Sequence, residues 1–375
     1  MGDDEPVRVC LDIQAGVAQR AGVGRYTKSL VEHLAPLAGP DELRLFHFNF
    51  RRRSDAFPAP GATWRTVRWC PGRFAQQAWK RFQWPPFDWF SGPADVFHFP
   101  NFIIPPLHRG KAVVTIHDLA FLQFPETTED RNRAFLEARI ADTAARADAI
   151  IAVSECIARE IRTTLGVPQS RVAAIHSGLF LPVGAPSATD VQETKSALGL
   201  DRPYLLTVGT LEPRKNIPFL VEVFEHVKGF DGELVIAGRL GWKVEPILER
   251  IRASPAAARI RHLPDVDDRN LRGLYAGAEL FVFPSLYEGF GFTPLEAMAC
   301  GAPVLSSTGG SLPEVLGDAA ELAEGFQADA WAYRIAALLN HAERRQILRD
   351  RGFRQATRYS WAEAARRTWE VYRSV

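Results

Sequence analysis

The chain has 375 residues, 45 basic against 44 acidic side chains, a net charge of +1 and 46% hydrophobic residues. Its length exceeds one ordinary compact core and predicts two domains, while its balanced charge gives no reason to expect nucleic-acid binding. Four cysteines without a C-x-x-C spacing suggest neither a disulfide framework nor a zinc site, and they fit a reducing cytoplasm.

The start, "MGDDEPVRVCLDI", is acidic and then strand-like rather than a secretory signal. It is followed by "AGVGRYTKSLVEHL", a helical pattern from Gly24 to about Leu37. Gly22 and Gly24 form part of a dinucleotide fingerprint without its third glycine, so a tight turn explains them equally well. The same gap counts against a nicotinamide-dependent dehydrogenase. Strands are predicted at "LRLFHF" (Leu43), "DVFHF" (Asp95), "AVVTI" (Ala112) and "AIIAV" (Ala149), with a helical segment before the last. His117 and Asp118 stand directly after the third of these, where a histidine either pairs locally or faces a ligand. No window offers the ~18 uninterrupted apolar residues of a spanning helix.

One stretch of this first half stands apart. From Trp64 to Phe90 there are nine Trp or Phe residues and five basic ones, with no acidic residue before Asp88. Interleaved like this, they fit an anionic membrane surface, an acceptor sugar, or the domain's own core. Stacking on single-stranded nucleic acid finds no other support in the chain.

Residues 177–190, "SGLFLPVGAPSATD", are rich in Pro, Gly and small residues and place a domain boundary near residue 184. The βα pattern then restarts, with strands at Pro203, Glu233, Arg259, Glu279 and Ala302. Runs of Val and Ile bounded by helices indicate buried parallel strands. The predicted class is therefore α/β: two Rossmann-like doubly wound domains facing a central cleft, with ligands at the strands' carboxyl ends.

In "VGTLEPRKNIPFL", Arg214 and Lys215 follow Gly209 and precede a helix for which Asn216 is a plausible cap. The pair reads either as solvated surface charge or as a holder of a diphosphate, Arg by its fork and Lys as a point charge. "DVD" at Asp265–Asp267 resembles a metal-binding DxD, but it directly precedes a helix, so Asp267 reads as an N-cap. Ser154 likewise reads as a cap. In "EGFGFTPLEAMACGAPV", Glu288 and Glu296 have seven residues between them. Thr293 as N-cap, Pro294 at N1 and Glu296 at N3 would make a capping box. Glu288 has no such explanation, and Gly289 and Gly291 would let backbone approach a ligand beside the amides of a helix start. "SWAEAARRTWEVYRSV", with Ser360 as cap, is a final helix expected to pack back on the first domain.

"GVGRYTKSL", "TIHDL", "VGTLEPRKN" and above all "FVFPSLYEGFGFTPLEAMACGAPV" resemble glycosyltransferase family 4, the retaining GT-B transferases, and within it the bacterial mannosyltransferase-like members. The resemblance covers nearly the whole chain. It implies an acceptor domain at residues 1–183, a nucleotide-sugar donor domain at 184–359 and the returning helix at 360–375. It also implies that Glu288 holds donor-sugar hydroxyls, Glu296 the ribose, and Arg214 and Lys215 the diphosphate. Amides of Phe290, Gly291, Phe292 and Thr293 would assist, and His117 would lie near the reacting carbon. Gly22 and Gly24 would allow close approach to the phosphates, and the base would lie near Val266.

The implied substrates are GDP-mannose and a glycan or polyprenyl-linked acceptor, with no metal or other cofactor. The place would be the cytoplasm, or the inner face of the cytoplasmic membrane through residues 64–90. A UDP-sugar transferase or epimerase of the same fold, and a catalytically silent sugar- or lipid-binding module, are the other readings.

Overall fold

The computed structural model describes residues 5–19, 22–52 and 57–375. They form two compact units: Met1–Leu119 with Ala134–Gly178 and Ser360–Val375, and Ala120–Arg133 with Leu179–Tyr359. Read as sequence, residues 120–133 fall in the first domain, whereas in the structure they join the second unit. Trp242 Nε1 donates there to Thr127 O at 2.7 Å. Lys243 Nζ reaches Glu126 O at 3.0 Å and Asp130 Oδ1 at 3.1 Å. Bonds between residues more than a hundred positions apart leave no local signal, so chain order hides them.

The first unit holds seven parallel strands: β1 (Arg8–Asp12), β2 (Glu42–Phe48), β3 (Thr63–Val67), β4 (Val96–Phe99), β5 (Lys111–Ile116), β6 (Ala149–Ala152) and β7 (Val172–Ala174). Their order in the sheet is β3-β2-β1-β4-β5-β6-β7. The second unit holds β8 (Tyr204–Val208), β9 (Glu233–Ala237), β10 (Ile260–Leu263), β11 (Leu280–Phe283), β12 (Val304–Ser307) and β13 (Glu321–Ala323), ordered β10-β9-β8-β11-β12-β13. Both sheets are parallel throughout, and the central β4, β6, β11 and β12 are buried at every position. Continuous apolar runs are what strands covered on both faces require.

The strand order reverses beside β1 in the first sheet and beside β8 in the second. At such switch points the following loops diverge to opposite faces and leave a crevice at the carboxyl ends. The fold thereby prepares one ligand-sized opening in each unit, by β1 and β4 and by β8 and β11.

The helix Trp361–Ser374 lies against the helix Val23–Leu34 in the first unit. Ser360 caps it, accepting from Glu363 N–H at 3.1 Å. Trp361, Trp369 and Tyr372 are buried, and Trp369 Nε1 donates to Leu34 O at 3.1 Å. The Tyr372 hydroxyl pairs with His98 Nδ1 at 2.6 Å, and His98 Nε2 with Thr115 Oγ1 at 2.8 Å. Burial, with the nearby His117, pushes the His98 imidazole down to about 3, so it stays neutral in this network.

Candidate active site

The second unit's crevice gathers the charged residues. β8 ends at Val208, and Gly209 follows with φ +153, a conformation that favours glycine. A Cβ there would stand 3.4 Å from Lys215 Cε, so the glycine gives the lysine side chain its path. Arg214 and Lys215 occupy a short 3-10 turn, Pro213–Lys215. The turn is fastened to the loop after β11, where Leu286 N–H and Ser285 Oγ both donate to Arg214 O, at 2.8 and 3.2 Å.

Glu288 is the hub of the cluster. Lys215 Nζ and Ser285 Oγ donate to its Oε1 at 2.5 and 2.6 Å, and Arg214 Nη1 lies 2.8 Å from Oε2. Its backbone carbonyl accepts from Ser311 N–H and Oγ, each at 2.9 Å. Arg214 also donates to Glu212 at 2.8 Å and to Tyr287 O at 2.6 Å. Burial would raise the Glu288 carboxyl, but the Arg214 and Lys215 charges, with hydrogen bonds from Lys215 and Ser285, outweigh it and hold it at about 2. Burial raises the Glu212 carboxyl against the same two cations. Two cations and two carboxylates thus share one small buried volume. The cations are not solvated surface charge, because their side chains are only 16% and 13% exposed.

The helix after this loop differs from the capping-box reading. It spans Phe292–Ala299, its N-cap is Gly291, and no side chain caps it. Gly291 has φ +102 and a Cβ there would meet Leu312 Cδ2 at 2.9 Å, so glycine is required by both conformation and space. This left-handed residue starts the helix early and moves Thr293 and Pro294 to its second and third positions. A proline fits there, because the first turn's N–H groups have no partner within the helix. Glu296 then lies inside the helix, 3% exposed, with the Tyr275 hydroxyl donating to Oε2 at 3.4 Å. It does not fold back onto the cap. Phe290 is buried and Phe292 half-buried, with ring centroids 4.9 Å apart.

Other predicted positions stand apart from the cluster. Val266 is half-buried in the loop after β10, an edge strand two places from β8. Asp267 is an N-cap, accepting from Asn270 N–H at 2.8 Å. Asn216 is an N-cap by position, but its φ of +54 turns it away from side-chain capping.

His117, Gly22 and Gly24 belong to the first unit. His117 Nε2 lies 2.8 Å from Pro100 O. A carbonyl only accepts, so Nε2 carries the proton and Nδ1 is left as an acceptor in the neutral ring. Burial lowers this imidazole's pKa, against the Pro100 bond and Asp118, which raise it. Tyr26 packs edge-on against the ring at 4.7 Å. Gly22 has φ +54, and a Cβ on Gly24 would fall 2.1 Å from Gln19 O. The two glycines therefore serve a tight backbone approach, whatever else binds there.

A model of the family described as "Glycosyl transferases group 1" matches residues 189–355, and one described as "Glycosyltransferase Family 4" matches residues 20–180. The O-antigen chain mannosyltransferase B of Escherichia coli is 31% identical over 376 residues, 94% of this chain and 96% of that protein. The chain belongs to glycosyltransferase family 4. This glycosyltransferase is also 35% identical over 267 residues to the serotype-specific mannosyltransferase WbdA of Escherichia coli, a match covering 68% of this chain but 32% of that protein. Among solved structures, sucrose-phosphate synthase from Thermosynechococcus elongatus superposes with a TM-score of 0.77 at 21% identity, covering 98% of both chains. Its likeness extends to the fold alone, the two Rossmann-like domains of the GT-B class.

Three members of the glycosyltransferase's cluster escape a sequence reading. Glu212, Ser285 and Ser311 stand within or beside the quoted motifs. Nothing in their spacing says that they hold Arg214, the Glu288 carboxylate and the Glu288 backbone.

Proposed function

We propose that this glycosyltransferase moves mannose, with retention of anomeric configuration, from GDP-mannose to a glycan or lipid-linked glycan acceptor in surface-polysaccharide synthesis. The observation that carries the reading is the buried Arg214–Lys215–Glu288 cluster at the second unit's switch point. The mannosyl and O-antigen parts lean on the relative that matches over its whole length.

The chemistry follows from where charge develops. Breaking a sugar–phosphate bond leaves negative charge on the diphosphate and positive charge on the sugar ring. Arg214 and Lys215 stabilise the first, together with the N–H groups that open the helix Phe292–Ala299. Glu288 keeps both cations in place and offers its carboxylate oxygens to donor-sugar hydroxyls, and Glu296 takes the ribose. His117 presents its Nδ1 as a hydrogen-bond acceptor on the acceptor side. The acceptor hydroxyl attacks from the face the diphosphate leaves, and its proton passes to the departing phosphate oxygen. This scheme asks nothing of a metal ion, so turnover should persist in excess chelator.

Membrane contact is supported by how the 64–90 segment divides. Phe87 and Phe90 are buried and Trp64 and Trp79 half-buried, so they pack. Trp69, Phe74, Phe82, Trp84 and Trp89 are exposed, Trp69 by 71%. Arg68, Arg73 and Arg81 are exposed among them, and the helix Gly72–Phe82 buries only Ala75. Exposed tryptophans beside arginines suit the headgroup level of an anionic leaflet. No helix among the described residues is long and apolar enough to cross a membrane, so contact would be peripheral, on the inner face of the cytoplasmic membrane.

A panel of GDP- and UDP-sugars, assayed for nucleotide release with and without glycan acceptors, tests the reading. GDP-mannose should release nucleotide fastest and give an α-linked product by NMR. Preference for UDP-glucose, an inverted product, or isomerisation of donor without acceptor would each replace it. Turnover of no sugar nucleotide would leave the silent binding module.

A further inference from the structure

The first unit contains a second ligand-sized opening that the donor chemistry does not use. A cavity of about 350 Å3 lies at the carboxyl ends of β1 and β4, where the strand order reverses. That volume is at the low end of small-molecule sites. Its lining includes Asp12, Gln19, Gln76, Trp79, Asn101 and Phe135. Amides and a carboxylate beside two aromatic side chains match a pyranose, which offers hydroxyls at its rim and C–H bonds on its faces.

Two features argue for a neutral sugar over a phosphate. The cations at the rim are already engaged: Lys80 Nζ lies 4.0 Å from the Phe135 ring centroid, and Arg139 Nη2 donates to Lys80 O at 2.6 Å. Inside, the charged group is an acid. Asp12 Oδ1 accepts from Gln14 N–H at 2.9 Å, and burial, opposed by that bond, pushes the carboxyl up to about 6. A carboxylate so placed is short of donors, and sugar hydroxyls supply them.

The cavity also adjoins the first unit's other site features. Pro100 lines it and is the residue whose carbonyl His117 holds. Gln19 lines it and is the residue whose carbonyl crowds Gly24. A ligand in the cavity is therefore one residue removed from both.

We propose that this cavity binds the terminal sugar of the acceptor glycan, a neutral hexopyranose whose hydroxyls are read by Asp12 and Gln76. The proposal rests on the transferase reading for the word acceptor, but the binding itself does not.

The test uses the full chain, with methyl α-mannobioside as the probe in a saturation-transfer NMR titration. Asp12→Asn keeps an oxygen for Gln14 N–H while removing the charge, and Gln76→Ala changes an exposed position on a helix. Each should raise the Kd for the mannobioside, and the KM for an acceptor, by about tenfold. GDP-mannose binding and its slow hydrolysis without acceptor should stay within twofold of wild type. Wild-type acceptor KM in both variants would overturn the proposal, as would tighter binding of a phosphorylated mannose than of the neutral one. If one variant fails to melt cooperatively, the other decides. If GDP-mannose is not a donor and mannobioside binding still falls in the variants, the donor reading fails and the cavity stands.

Discussion

Glu288 has three side-chain partners, Arg214, Lys215 and Ser285, while Lys215 depends chiefly on Glu288. This asymmetry separates two substitutions. Lys215→Ala leaves Glu288 with Arg214 and Ser285, so the fold should hold. Glu288→Gln leaves two buried cations short of their counter-charge and should cost about 3–5 kcal/mol in chemical denaturation. The pH dependence carries the same signature. The Glu288 carboxyl is depressed from its ordinary 4.5 to about 2, so its stabilisation is fully present above pH 4.5 and lost as pH falls through 2. The stability gap between wild type and Glu288→Gln should therefore be widest above pH 4.5 and close in acid. A gap independent of pH would show that the ion pairs contribute little. At this scale the sequence pointed to Glu288 because nothing local explained it. It hid Glu212, whose partner becomes visible only when the Pro213–Lys215 turn is built.

Gly291 is where the helix Phe292–Ala299 is decided. Its φ of +102 and the 2.9 Å approach of Leu312 predict that Gly291→Ala loses about 1–3 kcal/mol in thermal melts and weakens donor binding with it. Unchanged donor affinity in a destabilised variant would detach the helix start from the diphosphate. The capping box failed as a reading because side-chain spacing is blind to a left-handed backbone one residue upstream. The central strands were legible because burial on both faces demands unbroken Val, Ile, Leu and Phe. β3 was not, since its residues alternate in exposure at the sheet edge, and β7 and β13 have three residues each. Edge strands carry half the apolar signal of central ones.

Across the whole molecule, the chain leaves the first unit at Gly178 and returns to it at Ser360. The closing helix is held by Trp369, Tyr372 and the His98–Thr115 pairings. Tyr372→Phe should cost about 1–3 kcal/mol by leaving buried His98 Nδ1 without its hydroxyl, read as a lower melting temperature at neutral pH. The exposed aromatic face makes a separate claim. Trp84→Ala combined with Trp89→Ala should reduce sedimentation with phosphatidylglycerol vesicles while leaving turnover of soluble acceptor unchanged. Equal sedimentation would give those residues another partner.

The donor site itself is tested most directly by nucleotide release from GDP-mannose, compared between wild type and Lys215→Ala under saturating acceptor. If Lys215 meets the leaving diphosphate, the variant should fold normally and lose at least about a hundredfold in turnover. Near-normal release from a folded Lys215→Ala protein would contradict the account.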